Sequence, residues 1–205
     1  MQNALRRIWA VARRPIETFY ELKYIRYINI PLTLALLALW FVSEVTARQF
    51  TSFRFQMYNP NKLNILIQFI STVVIFALFC ICNWAVCAIA DGEGKFGEIC
   101  SFLSLSLVPY IVFNFLGTAL SNVLVLQEAM FLQIFTGIGL LWTGVLFFHA
   151  LRIVHNYSAM KTVGVFLLTI FLIAVIAFIL VLLFSLFNQV YSFGYSLYRE
   201  LLYRS

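Results

Sequence analysis

The sequence predicts an all-α polytopic membrane protein, with five transmembrane helices preceded by a short amphipathic interfacial helix. Three observations carry that expectation. Only 11% of the 205 residues are charged and 63% are apolar, whereas a soluble domain covers its surface with about 25% charged residues. Five apolar runs each reach the roughly 20 residues that cross a hydrocarbon core. The net charge of +6 is concentrated at the N-terminus, which suits anionic lipid headgroups and argues against nucleic acid as a partner.

Residues 1–27 form the expected interfacial segment. Leu5, Ile8, Ala12, Ile16, Phe19 and Tyr20 recur at helical spacing, with Arg6, Arg7, Arg13, Arg14, Glu17 and Glu21 between them. The apolar residues are too regular for a solvated leader. Pro15 removes a backbone donor, so one helix should end near Arg13 and another begin with Pro15 in its first turn. Arg6, Arg7, Arg13 and Arg14 are the candidate membrane-surface residues, with Trp9 and Phe19 dipped into the acyl boundary.

The membrane domain, residues 28–190, should hold spans at about 30–47, 63–90, 99–120, 130–151 and 163–187. The break at Ser121, Asn122, Gln127 and Glu128 is weak. Without it, spans three and four would fuse into a run of about fifty residues, too long for one crossing. Residues 191–205 read as an aromatic tail, with Tyr191, Phe193, Tyr195, Tyr198 and Tyr203 suited to the membrane–water boundary. With the N-terminus cytoplasmic, nine lysines and arginines lie inside and five outside. The charge bias therefore predicts an inside N-terminus and an outside C-terminus, with Lys95 and Lys161 cytoplasmic and Lys62 opposite. No cleavable signal peptide is expected, because the first apolar run lies behind a charged leader and further spans follow.

The most polar short stretch is ADGEGKFGE, Ala90–Glu98. Its GEGK fragment invites a phosphate-loop reading, but the earlier glycine would fall on Ile89 and Lys95 is followed by Phe96 rather than a hydroxyl. A calcium loop fails because Lys95 stands where an oxygen ligand is needed. What remains is a turn in which Gly92 and Gly94 release one helix and Glu98 starts the next. Asp91, Gly92, Glu93, Gly94 and Lys95 are carried forward as candidate interaction residues.

Other polar positions are sparse. Glu44 lies within reach of Arg48, and a plain ion pair is favoured over a proton relay. Thr136, Gly139 and Thr143 form a small-residue stripe suited to close helix packing. Pro109 should kink the third span. Cys80 and Cys87 are a heptad apart near Asn83, but Cys is most often a small buried apolar residue, and His149 and His155 lack metal-binding spacing. No metal site, cofactor, serine–histidine–acid set or paired carboxylate is expected, so no enzyme. His155-Asn156-Tyr157-Ser158 reads as a cytoplasmic loop, where the formal glycosylation sequon at Asn156 stays silent.

Taken in order, RRPIETFYELKY, NWAVCAIADGEGKFGEICSFLSLSLVPYIVFN and ALRIVHNYSAMK resemble the Yip1-domain family of small five-span membrane proteins. The likeness covers roughly Arg14 to Phe187. Its most specific parts are the glycine loop followed by Ser106-Leu107-Val108-Pro109-Tyr110, and His155-x-Tyr157-Ser158 after span four. The resemblance implies five spans and an inside N-terminus, and it adds no catalytic residue. Eukaryotic members are linked to Rab GTPases and vesicle traffic through a cytosolic N-terminal region. The short leader here argues against Rab binding and looks bacterial, which implies the cytoplasmic membrane.

The expected function is therefore a non-enzymatic scaffold or trafficking and complex-assembly factor, acting as a homo- or hetero-oligomer in the bilayer. The alternative is a transporter or channel component, or an accessory subunit of a transport complex, motivated by Glu44, Asn83, Asn114 and the Pro109 kink.

Overall fold

The computed structural model describes residues 14–25, 28–55 and 63–204. Arg6, Arg7, Trp9, Arg13 and Lys62 lie outside the described residues. Helix α1 spans Pro15–Tyr24, with the proline in its first turn and Glu17 beside the positive end of the dipole. Helix α2, Ile30–Phe50, starts where the Asn29 side chain accepts from the Leu32 amide at 3.0 Å. Asn64 caps α3, Ile65–Ile89, in the same way, accepting from the amides of Leu66 and Ile67.

The third apolar run is divided. Helix α4, Phe96–Ser106, and helix α5, Val108–Ser121, meet at Leu107. Pro109 sits in the first turn of α5, and the expected kink takes the form of a one-residue interruption at Leu107, which keeps right-handed helical dihedrals. Its cost in lipid is offset locally: the Tyr110 amide donates to Thr143 Oγ1 of the neighbouring helix at 3.0 Å. Helix α6, Ala129–His155, follows a short 3-10 turn at Leu126–Glu128 that carries the weak polar break. Helix α7 runs Ala159–Arg204 without interruption. Among the described residues, five stretches are long and apolar enough to cross a membrane: Ile30–Phe50, Ile65–Ile89, Phe96–Ser121, Leu126–His155 and Ala159–Glu200.

Two helix boundaries differ from the expected segment limits. The helix of the fifth span does not end at 187, since α7 continues through Tyr191, Tyr195 and Tyr198. Hydropathy falls after Phe187, but backbone hydrogen bonds within a helix do not depend on hydropathy. His155 is not in a loop either. It is the last residue of α6 and only 1% exposed.

Helix α4 sits at the centre. Ile99, Phe102, Leu103 and Leu105 are buried in a core shared with Leu36 of α2, Phe76 and Cys80 of α3, and Leu146, Ala150 and Val154 of α6. Polar side chains stitch α2 to α4–α5 along their length. Thr33 donates to Ser101, Ser104 to Thr33, Tyr110 to Glu44 at 2.7 Å, and Asn114 to Ser43. Hydroxyls and amides in lipid find partners across helices because water is absent.

The small-residue stripe is used inside the chain. A Cβ at Gly139 would collide with Phe113 of α5, and a Cβ at Gly117 would lie 3.0 Å from Thr136 Cγ2. Thr136, Gly139 and Thr143 thus seat α6 against α5, so this stripe is no argument for oligomerisation. Helix α7 packs on α3 only through its first turns, and 177–196 and 198–200 are exposed.

Candidate functional site

One end of the bundle gathers the C-termini of α3 and α6, the N-termini of α4 and α7, and α1. Helices α3 and α6 end in the same way. Asp91 takes the left-handed conformation, φ 55°, and the Gly92 amide reaches back to the Cys87 carbonyl at 2.8 Å. Asn156 repeats this with φ 55°, and the Tyr157 amide reaches the Arg152 carbonyl at 3.0 Å. Both are six-to-one helix terminations with a short polar residue where glycine is usual.

The two terminations are tied to each other. Tyr157 donates its hydroxyl to the Ala90 carbonyl at 3.0 Å, and its ring stacks on His155 at 5.4 Å between centroids. A Cβ on Gly92 would stand 2.6 Å from both His155 Nδ1 and the Tyr157 oxygen. A Cβ on Gly94 would overlap Val154 and His155. The reading of these glycines as helix-releasing residues is corrected. No glycine among the described residues has positive φ, and Asp91 makes the turn. Gly92 and Gly94 are required because the loop lies directly against the end of α6.

Asp91, Glu93 and Lys95 are exposed. Tyr157 is 7% exposed, and burial, reinforced by the neighbouring Cys87 and Asp91, pushes its phenol above the ordinary range. The ammonium of Lys161 lies 4.5 Å over the same ring. Ser158 caps α7, accepting from the Lys161 amide. Beneath the loop, His155 Nε2 and Asn83 Oδ1 are 3.3 Å apart, and Asn83 Nδ2 donates to Thr169 Oγ1. The amide oxygen only accepts, so Nε2 carries the proton, and Nδ1 is buried without a partner.

Helix α1 closes the arrangement. Phe19 is fully buried and stacks on Phe102, with ring centroids 5.4 Å apart. This overturns its assignment to the acyl boundary: Phe19 and Leu22 anchor the helix on protein, while Ile16, Tyr20 and Tyr24 stay exposed. Lys23 donates to the Val154 carbonyl and lies 3.6 Å from the Glu98 carboxylate. Glu98, whose side chain is only 4% exposed, also accepts from the Lys95 amide at 3.2 Å. Arg14 is exposed and pairs with Glu17.

Pro109 and Tyr110 are not part of this cluster; they lie at the α4–α5 break. Lys23, Glu98 and Thr169 were not singled out by sequence reasoning as one assembly. The available signal was chemical rather than positional. Asn83 and Thr169 are polar groups inside apolar runs and must find partners, but which helices meet is not written in either run.

The cluster holds α1, the loop and the α6–α7 turn together and presents three exposed charged side chains. Its geometry is that of a fixed platform. Among the described residues no group of three metal-ligating side chains converges. No curated protein and no solved structure matches the chain. The family model for the Yip1 domain matches residues 9–195, nearly the whole chain, and the protein belongs to the Yip1-domain family.

Proposed function

We propose that this Yip1-type membrane protein acts without catalysis, as a membrane-organising scaffold or assembly factor. Its contact for partners is the platform carrying Asp91, Glu93 and Lys95. The observation that supports this reading is the division of labour in the loop. The glycines and Glu98 are committed to packing, while three charged side chains of both signs are left exposed on a turn locked at both sides. A pre-formed surface lowers the ordering cost of association. We place the platform on the cytoplasmic side of a bacterial plasma membrane, on the charge bias of the flanking loops, with basic residues of the leader on anionic headgroups.

The transporter reading draws less support. Asn83 serves the α3–α6–α7 contact and Asn114 binds Ser43 in the α2–α5 seam. They serve separate packed contacts rather than one polar path.

The test is affinity purification of the full chain from native membranes, comparing wild type with D91A/E93A/K95A by mass spectrometry. Loss of a defined partner set, with unchanged expression and thermal stability, supports the scaffold reading. An unchanged partner set, or solute flux through the reconstituted protein, sinks it.

A further inference from the structure

Beside the proline break lies a cavity of about 490 Å³, which no part of the platform uses. Trp40 of α2, Ile75 and Phe79 of α3, Phe147 of α6 and Phe166 of α7 contribute to its walls. Trp40 is the eleventh of the 21 residues of α2, so the cavity lies near the middle of that span.

The lining fixes the chemistry of an occupant. Of the polar groups at the wall, Thr143 accepts from the Tyr110 amide and the Tyr110 hydroxyl is committed to Glu44, while the buried indole N–H of Trp40 has no partner. Water needs two to four polar partners, roughly, to occupy such a site, and this single donor is too few. An ion or polar solute would lose its hydration for one hydrogen bond at most. An apolar occupant gains dispersion contacts that the bare wall forfeits.

The size and the mouth narrow the choice. The volume falls within the range of about 300–1,000 Å³ typical of small-ligand pockets. A helix about 10 Å across would fit roughly one turn into it, so the space suits a slender chain better than a whole partner helix. Ile75 and Leu140, at the rim, are 60% and 61% exposed and face the surrounding lipid. The supply at that depth is hydrocarbon chain.

We propose that this cavity binds a single acyl chain of a bilayer phospholipid, inserted laterally at mid-membrane beside the α4–α5 break. The site does not depend on the scaffold reading and stands or falls separately from it.

Gly144 lines the cavity, and a Cβ there would meet nothing within 4 Å. A side chain at this position therefore starts in open space and has the cavity to grow into. The experiment keeps Trp40 as the sole tryptophan, with W9F, W84F and W142F, in vesicles of phosphatidylcholine brominated at mid-chain. Bromine quenches indole only at close approach. Trp40 should be quenched in the parent, and the quenching should fall by about half or more in G144F and in the milder G144L, because the filler removes the chain contact. No quenching in the parent, or equal quenching in parent and filled variants, overturns the proposal.

A second measurement needs no variant. Wild-type protein washed extensively in short-chain detergent should keep one phospholipid per chain in its native mass spectrum. A bare chain, or a retained mass that is not a phospholipid, overturns it as well.

Discussion

Consider Gly92→Ala, a single added methyl group. The position has ordinary φ, so alanine meets no backbone strain and even reduces the freedom of the unfolded chain, worth about 0.4–1 kcal/mol. Against this stands the packing: the new Cβ would lie 2.6 Å from His155 Nδ1, 2.6 Å from the Tyr157 oxygen and 2.9 Å from Cys87 Cβ. Those three groups belong to helix ends and a buried turn, so relief requires the loop to lift. Overpacking of this kind costs about 1–3 kcal/mol, and losing the Tyr157–Ala90 hydrogen bond costs about 1 more. The net expectation is a destabilisation of about 1–3.5 kcal/mol. Reversible unfolding of the purified protein in mixed micelles measures it. Tyr157→Phe removes one of the three colliding atoms, so G92A/Y157F should be less unstable than the sum of the single variants. Strict additivity, or a G92A protein within about 0.5 kcal/mol of wild type, would refute the close-approach account. Gly144→Ala serves as the control, since its Cβ faces open space, and it should be neutral or stabilising.

Thr143→Val strips the Tyr110 amide of its partner inside the membrane and should cost about 1–3 kcal/mol in the same assay, with Thr143→Ser close to wild type. Lys23→Met leaves Glu98 without its cation and frees α1, so trypsin should cut after Arg13 faster than in wild type, the Arg14–Pro15 bond being resistant. K23M/E98Q should recover part of that protection, and unchanged proteolysis in K23M would show that the ion pair does not hold the leader. Single cysteines replacing Lys95 and Lys161, in a background lacking the four native cysteines, should be labelled from the cytoplasmic side and one replacing Lys62 from the other. The reverse pattern would invert the proposed topology.

The spans were legible because length and apolarity are written locally: a run such as Ile65–Ile89 has few alternatives. Pro109 was legible for the same reason, since its missing donor is a property of one residue. The partner that rescues the break was not. Thr143 lies 33 residues from Tyr110, and nothing in either segment names the other. The loop shows the limit best. Its glycines were visible and a turn was the right local reading, yet their cause is a pair of rings, one at the end of α6 and one in the turn after it. Phe19 was placed in lipid by its helical period, which does not say what the apolar face meets. Phe102 of α4 supplied that answer.

Helix α7 imposes one geometric constraint on its surroundings. Its 46 residues extend about 69 Å, more than twice the roughly 30 Å of bilayer hydrocarbon. Containing it by inclination alone would need a tilt of about 60°, beyond the range of about 0–40° seen for membrane helices. A straight α7 therefore leaves the bilayer. The segment beyond Phe187, where Asn188 and Gln189 interrupt the apolar run, is a post standing clear of the hydrocarbon on the face where α7 exits. Any neighbour on that face meets a ringed surface of tyrosine and phenylalanine before it meets the bundle.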